Sequence, residues 1–456
     1  MNGILQELLA NIPDYQAFLT LAEMDEATRR LAAEHPDCVS LFELGKTTEG
    51  RPILGLKIGE GSKNALLFGC PHPNEPIGTM MLEYFTRALA ENSELRAMLD
   101  YTFYIVKAWD ADGLVRNEGW LKGPYTIFNY SRNFFRPAAN LQVDWTFPID
   151  YKELHFHNIM PETQAMKNLI DRIKPAFTYA LHNAGFGGVY WYVTEDVPAL
   201  YPGLREAVER QGIPLHLGEP ESPAIPQLAP AVLLAEGIEA EYDYFERFGA
   251  KNIPKIVTSG TCSDSYSKQN YGTFTFLTEM PYFYDARIAD STPAAVTRSA
   301  AVIEKIDWTL ESNRRMKEIL QGSERYMGEK NPYLCAVHDA LEDSGLEPNR
   351  RMAQEDPAYQ RPATQAEYFD NVLVTQFYRL LSYGMLIRAH EYALARTSDK
   401  AAETALQQGK EKAERLHREL ADALEEKLDY SVIPIRKLIN IQLECGLKAA
   451  QLIHDR

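Results

Sequence analysis

Apolar and polar residues alternate in two short runs near the amino terminus, VSLFEL and ILGLKI, on either side of the turn-like TTEGRP. Period-two alternation interrupted by Gly and Pro predicts a β-hairpin. Just before it, Asp25–Glu34 reads as a short helix. Just after it, NALLFGC is a continuous apolar run, the pattern of a strand buried on both faces. That run leads into PHPNEP and then into IGTMMLEYFTRALA, whose apolar positions recur with helical spacing. Similar strand signals follow in TFYIVKAW before DADG, in AFTYAL before His182, in GGVYWYV, and in TFTFLTEM around Glu279. Strands alternating with helices predict an α/β fold, a mixed central β-sheet flanked by helices, and such sheets place their chemistry in the loops at strand ends.

Beyond about residue 295 the pattern changes to long segments of 3.6-residue period rich in Ala, Leu, Glu, Lys and Arg: Ala295–Leu320, Ala366–Arg396, Lys400–Leu428 and Pro434–His454. The expected organisation is an α/β domain over residues 1–295 and an α-helical C-terminal region over 296–456, with the polar, proline-containing Glu342–Arg361 as a connector. Length supports two parts, since single cores usually stop growing at roughly 250–300 residues. Stripes such as Val372, Phe377, Leu380 and Leu381 on the helices that carry His390 and His417 read as packing seams. The helical region is expected to cover the α/β domain, restrict access to it, or join two copies of the chain.

Charge narrows the list of partners. The chain holds 47 basic and 64 acidic residues, a net charge of −17, which repels phosphate backbones and anionic lipid. Neither nucleic acid nor membrane is an expected partner. The five cysteines are scattered with no CxxC pair, which argues against a disulfide framework and for a reducing compartment. No basic start leads into an apolar core and a small-residue cleavage site, and no run of about eighteen apolar residues occurs, so the expectation is a soluble, cytoplasmic protein.

Candidate chemistry begins in PHPNEP, where His72 and Glu75 stand three residues apart on a loop between a buried strand and a helix. An imidazole and a carboxylate so spaced can converge on one zinc ion, at about 2.0–2.2 Å, if a third ligand arrives from elsewhere. His182, at the end of another apolar strand and followed by small residues, is the candidate. Two histidines and one glutamate with a fourth position open is the composition of a catalytic zinc site. His155 and His157 in ELHFHN read as surface residues.

The segments RRLAAEHPDCVSLFELGKTTEGRPILGLKIG, PHPNEP, DADG, VDW, ALHNAG and SGTCSDSYSKQNYGTFTFLTEM, in that order over roughly residues 15–285, resemble the carboxypeptidase A type of zinc metallocarboxypeptidase. The resemblance implies Zn2+ held by His72, Glu75 and His182, Glu279 as the general base, Arg136 as the oxyanion-stabilising arginine with Arg132 and Arg116 as nearby rivals, and Asp144 as the acceptor that orients the first histidine. It implies hydrolysis of the terminal amide bond of a short peptide, water being activated by zinc and deprotonated by Glu279.

The chain departs from the family pattern in several places. Asp144 runs into Trp145-Thr146-Phe147-Pro148 where the family has an Asn-Arg pair that clamps the substrate carboxylate. Arg132, Arg116 and Lys268 are the candidate replacements. The tyrosine that closes over substrate has no clear counterpart, with Tyr242, Tyr244, Tyr266 and Tyr271 as candidates. Ser263 falls near the position that lines the specificity pocket. Asn74-Glu75-Pro76 brings the zinc loop closer to the murein-peptide amidase and aspartoacylase-like branches. Deacylation of an N-acyl amino acid or cleavage of a murein peptide is therefore an alternative activity, and a non-catalytic zinc- or peptide-binding protein is a third reading.

Overall fold

The computed structural model describes residues 2–456. Its centre is a nine-stranded mixed sheet of β1 (Val39–Lys46), β2 (Pro52–Ile58), β3 (Lys63–Gly69), β4 (Tyr101–Val106), β5 (Phe177–His182), β6 (Tyr190–Val193), β7 (Gln227–Ala229), β8 (Val232–Leu234) and β9 (Phe274–Glu279). The spatial order is β1-β2-β4-β3-β5-β9-β6-β8-β7. The outer β1 and β2 form the expected antiparallel hairpin, and β4, β3, β5 and β9 run parallel in the middle.

Both faces of the middle strands are covered, which accounts for their unbroken apolar runs. On β3, Leu66 and Phe68 face one way, packing with Met166, Leu169 and Ile170 of helix Pro161–Ile173. Ala65 and Leu67 face the other way, towards Ile77, Leu82 and Phe85 of helix Ile77–Glu91.

Residues 296–456 are largely helical as expected, with long helices at Arg298–Leu320, Thr375–Leu394, Lys400–Glu425 and Ile435–His454. They do not form a separate core. The last helix lies on the sheet itself: Tyr179 and Tyr101 donate their hydroxyls to Gln442 O (2.7 Å) and Ala450 O (2.9 Å), and one continuous apolar cluster joins sheet and helices. Short antiparallel ladders, Phe283–Asp285 with Tyr430–Val432 and Pro293–Thr297 with Pro362–Thr364, stitch the parts together. Packing is therefore continuous across residue 295.

The supposed connector Glu342–Arg361 contains a helix, Leu346–Glu355. Its Pro348 falls in the first turn, where no intrahelical donor is lost, and Met352 and Ala353 anchor it to a small apolar cluster. No helix among the described residues is long and apolar enough to cross a membrane.

Candidate metal centre and active site

Sheet register assembles the site. β3, β5 and β9 are adjacent and parallel, with Gly69 opposite Leu181 and His182 opposite Glu279. The His72 loop, His182 and Glu279 therefore emerge together at one edge, at the carboxyl ends of the strands. Cys70, with φ of 52°, turns the chain out of β3. At Gly78 an added Cβ would collide with the Leu181 side chain, so the helix that follows the loop can close onto β5 only with glycine there.

The candidate ligand set is compact and buried. One atom each of His72, Asp144 and His182 lies within 4.8 Å of the others, and the two imidazole ring centroids are 5.0 Å apart. Glu75 Oε2 lies 3.1 Å from His182 Nδ1. Two ligands at about 2.0–2.2 Å from a tetrahedral zinc are themselves roughly 3.3 Å apart, so this spacing suits a shared ion. His72 Nδ1 is buried with no hydrogen-bond partner among the described residues, as is His182 Nε2, which faces Asp144 and not Glu75. Such orphans are rare in interiors and indicate a missing partner. The donor set of imidazoles and carboxylates fits zinc.

Asp144 stands beside both imidazoles. Asp144 Oδ1 accepts from Ser263 N at 3.0 Å, and Oδ2 is 4.0 Å from His182 Nε2.

Electrostatics keeps the first imidazole neutral. Burial, then the positive charge of Arg136 and the neighbouring His182, hold His72 well below the usual imidazole range. Burial lowers His182 too, but Glu75 and Asp144 outweigh it and the net direction is up. Burial pushes Asp144 up to about 7 against the opposing charge of His182. Glu279 is pushed well above the ordinary carboxylate range by burial, reinforced by Glu75 and Glu221.

Arg136 borders the cavity that opens over these groups. Its Nη1 donates to Glu75 Oε1 at 3.0 Å and its Nε to Gln142 Oε1 at 2.9 Å. Trp145 packs between Arg136, whose guanidinium lies 5.1 Å from its ring, and His72, whose ring lies 5.0 Å away.

The other expected substrate-binding groups are not brought to the cavity. Arg132 pairs with Glu391 at 2.5 Å, towards the C-terminal helices. Arg116 pairs with Glu49 and lies over Phe135. Lys268 donates to Thr194 O. Ser263 is buried beneath Asp144, although Cys262 and Asp264 on either side do line the cavity. Thr146 and Phe147 are core residues, Thr146 sharing a hydroxyl hydrogen bond with Thr163. Of the tyrosine candidates, Tyr266 and Tyr271 donate to Asp171, while Tyr242 and Tyr244 pack in an apolar cluster away from the metal loop. His155 and His157 are exposed, sharing Asp150 Oδ1.

Asn183 escaped sequence reasoning, although it follows His182 directly. Its N–H donates to Glu75 Oε2, its Nδ2 to Met280 O, and its Oδ1 accepts from Ile77 N. It thereby ties the ends of β5 and β9 to the metal loop. The cavity, about 470 Å³, also takes in Glu221, to which Tyr190 and Tyr192 donate, and Lys305, Asp370 and Tyr378 from the C-terminal region.

Residues 24–283, more than half of the chain, match the zinc carboxypeptidase family model. The chain belongs to the zinc carboxypeptidase family, whose metal is zinc. It is similar to mast cell carboxypeptidase A of Mus musculus, 29% identical over 132 residues that cover 27% of this chain and 31% of that protein. It is also similar to carboxypeptidase B of Rattus norvegicus, 30% identical over 129 residues, 26% of this chain and 31% of that one. The chain thus matches about a third of the length of these relatives. Among solved structures, carboxypeptidase A from Helicoverpa armigera aligns over 62% of this chain and 70% of its own, at 14% identity and a TM-score of 0.39.

Proposed function

We propose that this chain is a zinc-dependent metallocarboxypeptidase that removes the terminal residue of short peptides. His72, Glu75 and His182 would hold the metal, with Asp144 against them. Zinc, when bound, supplies Lewis acidity towards the scissile carbonyl and the attacking water. Glu279 takes a proton from that water and returns it to the leaving amine. Arg136, beside Glu75, offers a fixed cation to the oxygen that gains negative charge.

The observation that carries the reading is the position of Glu279. Its carboxylate lines the cavity, lies 3.8 Å from His182 Nδ1 and has no hydrogen-bond partner among the described residues. Burying an unpaired carboxylate is costly, which is the mark of a group kept for chemistry.

Hydrolysis of an N-acyl amino acid is the second reading, favoured by Asn74-Glu75-Pro76 in the metal loop, which brings it closer to the murein-peptide amidase and aspartoacylase-like branches. The scattered cysteines, all free, support a reducing, cytoplasmic setting.

The test is to incubate the zinc-loaded chain with short peptides and with N-acyl amino acids and identify products by mass. Loss of terminal residues supports the first reading. Release of acyl groups alone replaces it with the second, and no turnover of either class rejects both.

A further inference from the structure

The C-terminal helices form part of the cavity wall. Lys305, from helix Arg298–Leu320, and Asp370, Thr375 and Tyr378, from the helical stretch 365–394, line the same space as His72, His182 and Glu279. Two of these side chains carry groups that the protein itself leaves uncommitted. Tyr378 Oη accepts from Gly185 N at 3.2 Å, three residues beyond His182, and its own proton has no acceptor among the described residues. The side chain is 42% exposed, and a phenol, titrating at ~10, is a donor at neutral pH. Lys305 Nζ has no carboxylate within ion-pair distance among the described residues. The other basic groups nearby are spent: Arg298 on Glu219, and Arg136 on Glu75 and Gln142.

The helix that carries Tyr378 is held firmly. Its neighbour Phe377 is fully buried, stacked on Tyr130 at 6.0 Å and packed against Phe186 at 5.4 Å. The five residues before helix Thr375–Leu394, Asp370–Val374, form a π-helical turn, a feature common at functional sites. There Asp370 Oδ2 accepts from Glu219 N at 2.9 Å and lies 3.6 Å from His216 Nε2, which fixes this turn against the catalytic part of the chain.

A free O–H and a free ammonium on one wall suit an acceptor-rich anion. Either substrate class considered above presents one at a fixed distance from the scissile amide, namely the α-carboxylate on the amine side. The residues after Asp144 offer it nothing, because Thr146 and Phe147 are buried. We infer that Tyr378 and Lys305 bind the α-carboxylate of the substrate, so that the C-terminal helices complete the substrate site.

This inference rests on the proposed amide-hydrolase activity, and the experiment separates the two. The zinc-loaded full chain is assayed on N-acetylated dipeptides and N-acetyl amino acids, each beside its carboxamide analogue, as wild type, Tyr378→Phe, Lys305→Met and Lys305→Arg. Tyr378→Phe and Lys305→Met should each raise KM for the carboxylate substrate by about fivefold or more, with kcat within about twofold, the result of losing an interaction equal in ground and transition states. The wild-type preference for acid over carboxamide should shrink, zinc content should stay unchanged, and Lys305→Arg should recover most of the affinity, a rescue that a merely structural role would not produce. Turnover with KM and acid preference unchanged in both loss variants overturns the inference alone. No wild-type turnover of either class overturns the proposed function and this inference with it.

Discussion

Glu279 and His182 are register partners on neighbouring parallel strands, and Glu279 Oε1 lies 3.8 Å from His182 Nδ1. Backbone pairing, and not a loop, sets that distance. Strand-borne groups are held more closely than loop-borne ones, so the proposed base and one proposed ligand keep their relation whatever occupies the cavity.

Replacing Glu279 with Gln keeps shape and removes basicity. Glu279→Gln should bind zinc as the wild type does and lose about 10²–10⁴ in kcat, the usual worth of general-base catalysis. Elemental analysis beside turnover measurements checks this, and near-normal turnover in the variant would remove Glu279 from the mechanism.

The two carboxylates near the imidazoles can be told apart by metal content. Glu75, as a direct ligand, should on substitution by Ala leave the protein without stoichiometric zinc, as should His72→Ala and His182→Ala. Asp144, as a supporting acceptor, should on substitution weaken zinc only by about 10–100-fold. Because metal bound to the native state alone stabilises it, a chelator should lower the melting temperature of the wild type and leave His72→Ala unaffected. The reverse pattern for Glu75 and Asp144 would exchange their roles, since Asp144 already shares the 4.8 Å cluster with both histidines.

The metal loop, His182 and Glu279 were legible because each ends or follows an apolar run long enough to be recognised as a buried strand, and parallel strands in one sheet must end on the same side. Helical periodicity likewise located the long C-terminal helices to within a few residues. What it could not supply was their docking partner: an apolar stripe announces that a face is covered, without naming the surface that covers it. Hence Tyr378 and Lys305 gave no signal. Arg116 and Arg132 misled for a related reason, since their partners Glu49 and Glu391 are distant in the chain and nothing local marks either arginine as engaged. The three-residue ladders that join the two parts, such as Phe283–Asp285 with Tyr430–Val432, are too short to carry an alternation pattern.

Gly384 tests whether helix docking supports the cavity. It sits on helix Thr375–Leu394, where an added Cβ would collide with the backbone carbonyl of Ser131. Next to this contact Arg388 Nη1 donates to Asn133 O at 2.7 Å and to Phe134 O at 3.1 Å. Backbone cannot yield as a flexible side chain can, so Gly384→Ala should cost about 1–3 kcal/mol of stability through overpacking. If the helix also forms the cavity wall, KM should rise in the folded fraction. Calorimetry with steady-state kinetics checks both, and an unchanged melting temperature would show that the two segments are not held this closely in solution.

Acid should loosen the same interface through His417. The imidazole is buried on helix Lys400–Glu425, its Nε2 lies 2.8 Å from Ser131 Oγ, and its ring is 5.2 Å from that of Phe128. Burial, then the positive charges of Arg132 and Arg418, pull it down from 6.5 to about 3. Between those values the unfolded chain binds a proton that the folded chain refuses, so stability is full above pH ~6.5 and falls as pH drops towards ~3. Many carboxylates titrate over part of the same range, so the informative quantity is the difference between wild type and a variant that cannot ionise. His417→Gln keeps a polar group opposite Ser131, and the wild-type advantage in melting temperature at pH 8 should shrink or reverse by pH 4.5. A difference that stays constant across that range would mean that His417 is protonated in the folded protein, with its charge accommodated beside the two arginines.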